Sequence, residues 1–231
     1  MCETCGCGDP EIVPIEVQER ILSDNDAQAA HNREHFEAQG ILAINLMGSP
    51  GSGKTAVLEA TSRAAKGRLA LGAVSGDLAT ARDADRLNAV GILSSTITTG
   101  SACHLDARLV HHALHDFPSD ESDIFFIENV GNLVCPALFD LGEAAKVVII
   151  SVTEGDDKPL KYPSMFAASD LCLINKIDLA PYVQFDLDRC EEAARSVNPR
   201  LEFVRLSATT GEGLAGWYDW LRARRAALDG A

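Results

Sequence analysis

The segment Gly48-Ser49-Pro50-Gly51-Ser52-Gly53-Lys54-Thr55 constrains the fold of this chain more than any other. Its spacing is G-x-x-x-x-G-K-[ST], and its setting fits the pattern. Upstream, Ile41–Met47 is a short apolar run that reads as a buried strand, and downstream Ala56–Ala60 continues as a helix. A strand, a glycine-rich loop and a helix in that order form a phosphate-binding loop. Backbone N–H groups converge on phosphate oxygens, and the helix N-terminus adds a favourable dipole. In such a loop Gly48, Gly51, Ser52 and Gly53 line the phosphates, Lys54 holds the β- and γ-phosphates, and Thr55 offers its hydroxyl to Mg²⁺.

From Ile41 onward, apolar runs at 41–47, 69–75, 92–98, 124–128, 146–152, 171–175 and 202–206 alternate with helix-like stretches near 54–66, 79–89, 105–116, 186–197 and 213–226. Alternation of this kind predicts an α/β fold, a mostly parallel sheet with helices on both faces. Ligands of such sheets bind beyond the carboxyl ends of the strands. The predicted organisation is a mobile tail over 1–23, a polar helix over 24–39 capped by Ser23 or Asp24, and a nucleotide-binding domain over 40–231.

Asn175-Lys176-Ile177-Asp178 follows the apolar run Leu171–Ile174, about 120 residues after the phosphate loop. A carboxylate at Asp178 accepts from both N1–H and the 2-amino group of guanine, whereas adenine would leave it unpaired. Asn175 and Lys176 would support the base and tie this loop to the phosphate loop. Ser207-Ala208 fits the next base-contacting loop, or equally an ordinary strand-to-helix turn. The Mg²⁺ ion needs further oxygen ligands, and Asp77 and Glu128 end two of the apolar runs. Glu128-Asn129-Val130-Gly131 stands where most GTPases carry D-x-x-G, with the Gly131 N–H placed to sense a γ-phosphate. Lys54, Asp77 and Glu128 are thus the expected catalytic set. Asn132 replaces the glutamine that orients water in Ras-like proteins, so slow intrinsic turnover is expected, below about one per second.

Two groups of metal donors stand out. Cys2, Cys5 and Cys7 place three thiols within six residues, beside an α-amino group if the initiator Met is removed. A tetragonal N/S set suits Ni(II) and a tetrahedral thiolate set suits Zn(II), with a redox role as the rival reading. Cys103-His104 and Cys135 form the second group, with Cys135 four residues beyond Gly131. That placement would couple metal coordination to nucleotide state; a buried Cys135 and a capping His104 are the plain alternative. His111 and His115, spaced i,i+4, read as a solvated helix face more readily than as a metal pair, and Cys172 and Cys190 read as core.

Composition narrows the partners. With 34 acidic against 20 basic side chains the formal net charge is −14, which argues against nucleic acid. Residues 1–40 hold nine acids and two bases, about half of that imbalance. No run is long enough to span a bilayer and no leader opens the chain, so a cytoplasmic setting is expected, and seven cysteines then favour thiols and metal ligands over disulfides.

Together these motifs resemble the nickel-incorporation GTPases of nickel–iron hydrogenase maturation. The residues that carry the resemblance are Cys2-x-x-Cys5-Gly6-Cys7, Asn45–Thr55, Cys103-His104-Leu105, Glu128–Pro136, Thr153–Pro163 and Asn175–Asp178. The resemblance implies a dimerising GTPase of the signal-recognition-particle and MinD group. It also implies a tight nickel site at Cys2, Cys5 and Cys7 and a nickel or zinc site at Cys103, His104 and Cys135 near the dimer interface. Lys158, with Lys161 as its rival, would reach the nucleotide across a GTP-dependent homodimer. GTP or GDP, Mg²⁺, Ni²⁺ and Zn²⁺ are the implied ligands, and a nickel metallochaperone and a hydrogenase large-subunit precursor the implied partners. Some members carry a long His-rich stretch after the Cys motif; only His31 and His35 occur in that region here. Competing readings are a urease-accessory GTPase, a nickel-buffering protein and a small-molecule kinase. The first carries Cys-Pro-His at its metal site, whereas here Cys103 precedes His104 directly.

Overall fold

The computed structural model describes residues 15–65, 67–77, 82–100, 102–115, 117 and 121–228, with the side chains of 15–19, 21 and 77 outside the description. In chain order the elements are α1 (Ile15–Ala38), β1 (Leu42–Gly48), α2 (Lys54–Ala65), β2 (Leu71–Asp77), α3 (Arg82–Ala89), β3 (Leu93–Thr98), α4 (Ala107–His115), β4 (Ile124–Glu128), β5 (Ala145–Ser151), α5 (Lys158–Lys161), α6 (Pro163–Ala167), β6 (Leu171–Asn175), α7 (Leu187–Val197), β7 (Glu202–Arg205) and α8 (Leu214–Leu228). The strands form one sheet in the order β3-β2-β4-β1-β5-β6-β7. Every ladder in it is parallel, with Leu42 opposite Ile124 and Ile44 opposite Ala145 on the two sides of β1.

Strand β1 shows why the sheet is covered on both faces. Its side chains alternate, as a pleated strand requires. Leu42, Ile44 and Leu46 pack under α2 and α8 with Val57, Leu58, Trp217 and Leu221. Ala43 points the other way, into a core with Phe36 of α1, Phe125 of β4 and Val110 and Leu114 of α4. Met47 enters a third cluster with Val148, Ile150, Phe166 and Cys190. Cys172 and Cys190 are both fully buried there, as expected of core cysteines.

Helix α1 begins at Ile15, eight or nine residues before the expected Ser23 or Asp24 cap, so the predicted helix over 24–39 is its C-terminal part. The buried positions explain the misplaced start. Asn25, Ala29, Asn32 and Phe36 face the domain, and two of these four are polar, so no apolar stripe marks the helix. Asn32 Nδ2 donates to the carbonyls of Ala107 (2.8 Å) and Leu141 (3.1 Å), and Asn25 donates to Asp140 O while accepting from the Ala107 N–H. Docking by side-chain amides satisfies backbone groups that would otherwise be buried unpaired. Helix α4 starts at Ala107 rather than Leu105, because Asp106 caps it by accepting from the Leu109 N–H at 2.8 Å. Among the described residues, no helix is long and apolar enough to cross a membrane.

Candidate nucleotide and metal sites

The phosphate loop joins β1 to α2 at the carboxyl edge of the sheet, where the strand order turns about β1. Lys54 is buried and folds back on its own loop, donating to Gly48 O at 3.2 Å and Ser49 O at 3.3 Å. Burial draws its ammonium below the usual value, against the pull of Glu128. Gly53 has φ of +100°, and a Cβ there would collide with the Asn175 amide, so only glycine permits this turn. Thr55 Oγ1 donates to Glu128 Oε1 at 2.7 Å, and Ser75 Oγ donates to Glu128 Oε2 at 2.6 Å. Burial pushes the Glu128 carboxyl up, partly offset by these hydroxyls and by Lys54. The threonine hydroxyl and this carboxylate sit as a hard-cation pair would need them. Asp77 ends β2 at the same edge, with its side chain outside the described residues. A cleft of about 400 Å³ opens here, lined by the phosphate loop, Glu128, Val130 and Gly131, with Asp83 and Arg86 of α3 at its wall.

The Asn175–Asp178 loop lies beside it. Asn175 Nδ2 donates to Ser52 O at 2.9 Å, and its Oδ1 accepts from the N–H groups of Lys176 and Ala208. Lys176 Nζ donates to Gly51 O at 2.7 Å. Its backbone takes φ of 63°, a left-handed conformation that costs a lysine about 1 kcal/mol. These contacts tie the two loops together as the sequence suggested. Ser207 is buried and Ser207 Oγ accepts from the Thr210 N–H. Asp178 Oδ1 is buried without any hydrogen-bond partner. An orphaned carboxylate oxygen costs about 1–3 kcal/mol, a cost relieved by a ligand carrying N–H donors.

The three donors of the second metal group converge. Cys103 Sγ lies 3.3 Å from Cys135 Sγ and 3.7 Å from His104 Nδ1, and all three ligand atoms fall within 4.8 Å of one another. Two thiols and one imidazole in that space fit Zn(II) or Ni(II) with one coordination position left open. His104 does not cap α4; its ring stacks on Phe139 at 4.0 Å. Burial lowers the His104 imidazole, whereas burial and the neighbouring Cys103 raise the Cys135 thiol. Cys135 is half-buried, not in the core. Cys2, Cys5 and Cys7 lie outside the described residues.

The sequence reading gave Asn132 no connecting role and assigned none to Asn129, Glu154 or Ser75, yet these four connect the sites. The Asn132 N–H donates to Gly48 O at 3.0 Å, while its side chain donates to Cys103 O (3.1 Å) and accepts from the Val134 N–H (2.9 Å). Gly131 lies against Pro50, leaving no room for a Cβ. Asn129 accepts from the Leu105 N–H, next to His104, and donates to Asn45. Glu154 accepts from Ser49 Oγ at 2.6 Å and pairs with Lys158 at 3.3 Å, while Lys161 pairs with Asp157. Ser75 holds Glu128 through its hydroxyl. Only Asn132 had a visible signal, its place after Gly131.

Residues 42–205 match the family described as CobW/HypB/UreG, nucleotide-binding domain. The hydrogenase maturation factor HypB of Rhizobium leguminosarum bv. viciae is 54% identical over 215 residues, 92% of this chain and 72% of that protein. The Escherichia coli K12 HypB is 49% identical over 213 residues, covering 92% and 73%. Among solved structures, HypB of Helicobacter pylori in complex with nickel superposes with a TM-score of 0.84 at 38% identity, over 88% of this chain and 95% of that one. HypB of Archaeoglobus fulgidus gives 0.83 at 41%, over 88% and 100%. The signal recognition particle 54 kDa protein of Aeropyrum pernix, 13% identical over 71% of this chain and 41% of that one with a TM-score of 0.53, shares the fold. A phosphate loop on an all-parallel sheet of this type, with identity sustained over nine-tenths of the chain, places the protein in the HypB hydrogenase maturation factors of the CobW/HypB/UreG nucleotide-binding family.

Proposed function

We propose that the protein is a GTP-hydrolysing nickel carrier that inserts Ni(II) during nickel–iron hydrogenase maturation, its GTP state coupled to homodimerisation and metal transfer. The observation that carries the coupling is the Asn132 bridge, which joins a phosphate-loop carbonyl to the backbone of both metal-donor segments. Lys54 turns from the carbonyls of Gly48 and Ser49 to the β- and γ-phosphates, and Asp178 selects guanine. Gly48, Gly51, Ser52 and Gly53 cradle the phosphates, Gly131 reads the γ-phosphate, and Asn175, Lys176, Ser207 and Ala208 shape the base pocket. Thr55, Glu128 and Asp77 would hold Mg²⁺, which neutralises phosphate charge when bound. Water attacks the γ-phosphorus and GDP and phosphate leave. Turnover is slow because the Asn132 amide, engaged with Cys103 O and Val134 N–H, is not free to orient that water.

The nickel cargo is held by Cys2, Cys5 and Cys7, and Ni(II) or Zn(II) by Cys103, His104 and Cys135. Exposed Val134 and Leu138 on either side of Cys135 support a subunit contact there, and a cytoplasmic nickel metallochaperone and the hydrogenase large-subunit precursor complete the transfer. Lys158 acts across the dimer after leaving Glu154. Nickel and zinc titrations with GDP and with a non-hydrolysable GTP analogue, repeated with Cys2, Cys5 and Cys7 replaced, test the reading. Affinity at Cys103, His104 and Cys135 should differ between the two nucleotides; equal affinities would leave a metal-buffering protein whose nucleotide only stabilises the fold. Lys54→Ala should abolish turnover and leave nickel on the N-terminal thiols.

A further inference from the structure

Five of the six histidines lie on two helices that pack together, α1 and α4. His111 and His115 sit one turn apart on α4, with their Nε2 atoms 3.0 Å from each other. Two imidazole nitrogens on one ion, each at about 2.0–2.1 Å, stand about 2.9–3.4 Å apart for angles between square and tetrahedral. The pair therefore already has the bite of a chelate. His31 of α1 faces it, with its ring edge-on to that of His111 at 5.0 Å, and His35 follows His31 by one turn. The sequence offered only the α4 pair, for which a solvated face is the plainer reading. The fold adds a second i,i+4 pair on the neighbouring helix.

The two helices are locked at this point. Asn32, next to His31, donates to the Ala107 carbonyl, and Ala107 lies one turn before His111. His31 and His115 are exposed and His35 and His111 half-buried, so an ion has access from solvent. Exposed side chains change rotamer within nanoseconds, which lets His31 swing its nitrogen onto an ion already held by the α4 pair.

We propose that His111 and His115, completed by His31 and His35, form a further site for a borderline divalent transition ion of the Ni(II) and Zn(II) class, separate from the thiolate centres. All-imidazole donors suit such ions and discriminate against Mg²⁺ and Ca²⁺, which take oxygen. An ion there bridges α1 to the domain. The site is independent of the GTPase reading.

The test uses the full chain with Cys2, Cys5, Cys7, Cys103 and Cys135 replaced by serine, titrated separately with Zn(II) and Ni(II). One equivalent should still bind. Adding H111Q and H115Q should weaken it by at least the roughly tenfold typical of a lost outer-shell contact, and H31Q alone should weaken it measurably. No binding by the five-serine protein, or an affinity unchanged by H111Q/H115Q, overturns the proposal. Should the five-serine protein fail to fold, the unsubstituted cysteine background serves: H111Q/H115Q should lower zinc bound at saturation by one equivalent with GTP turnover unchanged. Equal zinc content in the two proteins then overturns it.

Discussion

Replacing Asn132 by alanine separates the two chemistries proposed for this chain. The backbone N–H to Gly48 O bond survives the change, so the phosphate loop keeps its partner. What goes is the donation to Cys103 O at 3.1 Å, the acceptance from the Val134 N–H at 2.9 Å and a contact that favours the Cys135 thiolate. Neutral hydrogen bonds contribute about 0.5–1.5 kcal/mol each, and these lie at a partly exposed side chain, so the two together are worth about 1–2 kcal/mol. If they transmit the nucleotide state, the ratio of metal affinities between GTP-analogue and GDP forms should move toward unity by about 5- to 30-fold, or reach unity if the native ratio is smaller. The assay is a zinc competition titration with Cys2, Cys5 and Cys7 replaced and H111Q and H115Q added, so that only Cys103, His104 and Cys135 compete. Reciprocity requires that the effect of zinc on GTP-analogue affinity fall by the same factor, while GDP affinity of the metal-free protein stays within about twofold. A metal affinity that drops equally in both nucleotide forms would show that Asn132 merely supports the donors, and the coupling route would be wrong.

Asp178→Asn should weaken GDP binding by about 10²- to 10⁴-fold, the loss of two charge-assisted bonds of about 1.5–3 kcal/mol each, and improve binding of xanthine nucleotides, whose 2-carbonyl wants a donor. The same change should not lower the melting temperature of the nucleotide-free protein, because Asp178 Oδ1 has no partner to lose; a GDP loss below tenfold by calorimetry contradicts the assignment. Asn129→Ala strands the Leu105 N–H, the Val130 N–H and Asn45 Oδ1 in a buried setting, at about 1 kcal/mol or more each, and should lower the melting point by about 6–12 °C; a drop under about 2 °C would refute the polar bridge. Zinc affinity at Cys103, His104 and Cys135 should rise with pH across 6.5–8. The Cys135 thiol is raised, so it is protonated at neutral pH and must release its proton to bind, about tenfold per pH unit for that proton, whereas the lowered His104 imidazole is already neutral and adds no slope. A pH-independent competition constant would count against a Cys135 thiolate ligand.

The strands were legible because a parallel sheet buried on both faces reads as uninterrupted apolar runs, and each of the seven runs falls within about two residues of its strand. The phosphate loop and its tie to the Asn175–Asp178 loop were legible for a related reason: those contacts are set locally, by glycines and by side chains a few residues apart. What stayed hidden is tertiary. Helix α1 docks through Asn25 and Asn32, which hydrophobic periodicity counts as surface. Short α5 and α6 carry Pro159 and Pro163 in their first turns, and at four and five residues their stretch offered no helical period long enough to recognise. The approach of Cys103 to Cys135 across 32 residues was inferred from placement, but the means of holding them was not. Asn132 reads only as a missing glutamine until its contact with Cys103 O is seen. Likewise the α4 histidines acquire partners only once α1 is packed beside them.

One lysine links the remaining pieces. Lys54 Nζ donates to Gly48 O and Ser49 O, and these two residues are the roots of separate arms. Gly48 O also accepts from Asn132, whose side chain reaches Cys103; Ser49 Oγ donates to Glu154, which holds Lys158. On the proposed reading, a triphosphate draws the Lys54 ammonium off both carbonyls at once. Gly48 O then keeps the Asn132 N–H, which tightens the arm toward the cysteines, while Ser49 O keeps only the Ser52 N–H of its own loop and the Ser49–Glu154 arm is free to let Lys158 go. A single charge movement of this kind would alter the metal donors and release the dimer-crossing cation together, without a rearrangement of the sheet. It follows that Glu154→Gln, which weakens the hold on Lys158 but leaves Asn132 untouched, should shift GTP-dependent dimerisation and spare the nucleotide dependence of zinc affinity in the monomer. If both change in step, the two arms are one, and the division drawn here between metal and dimer control fails.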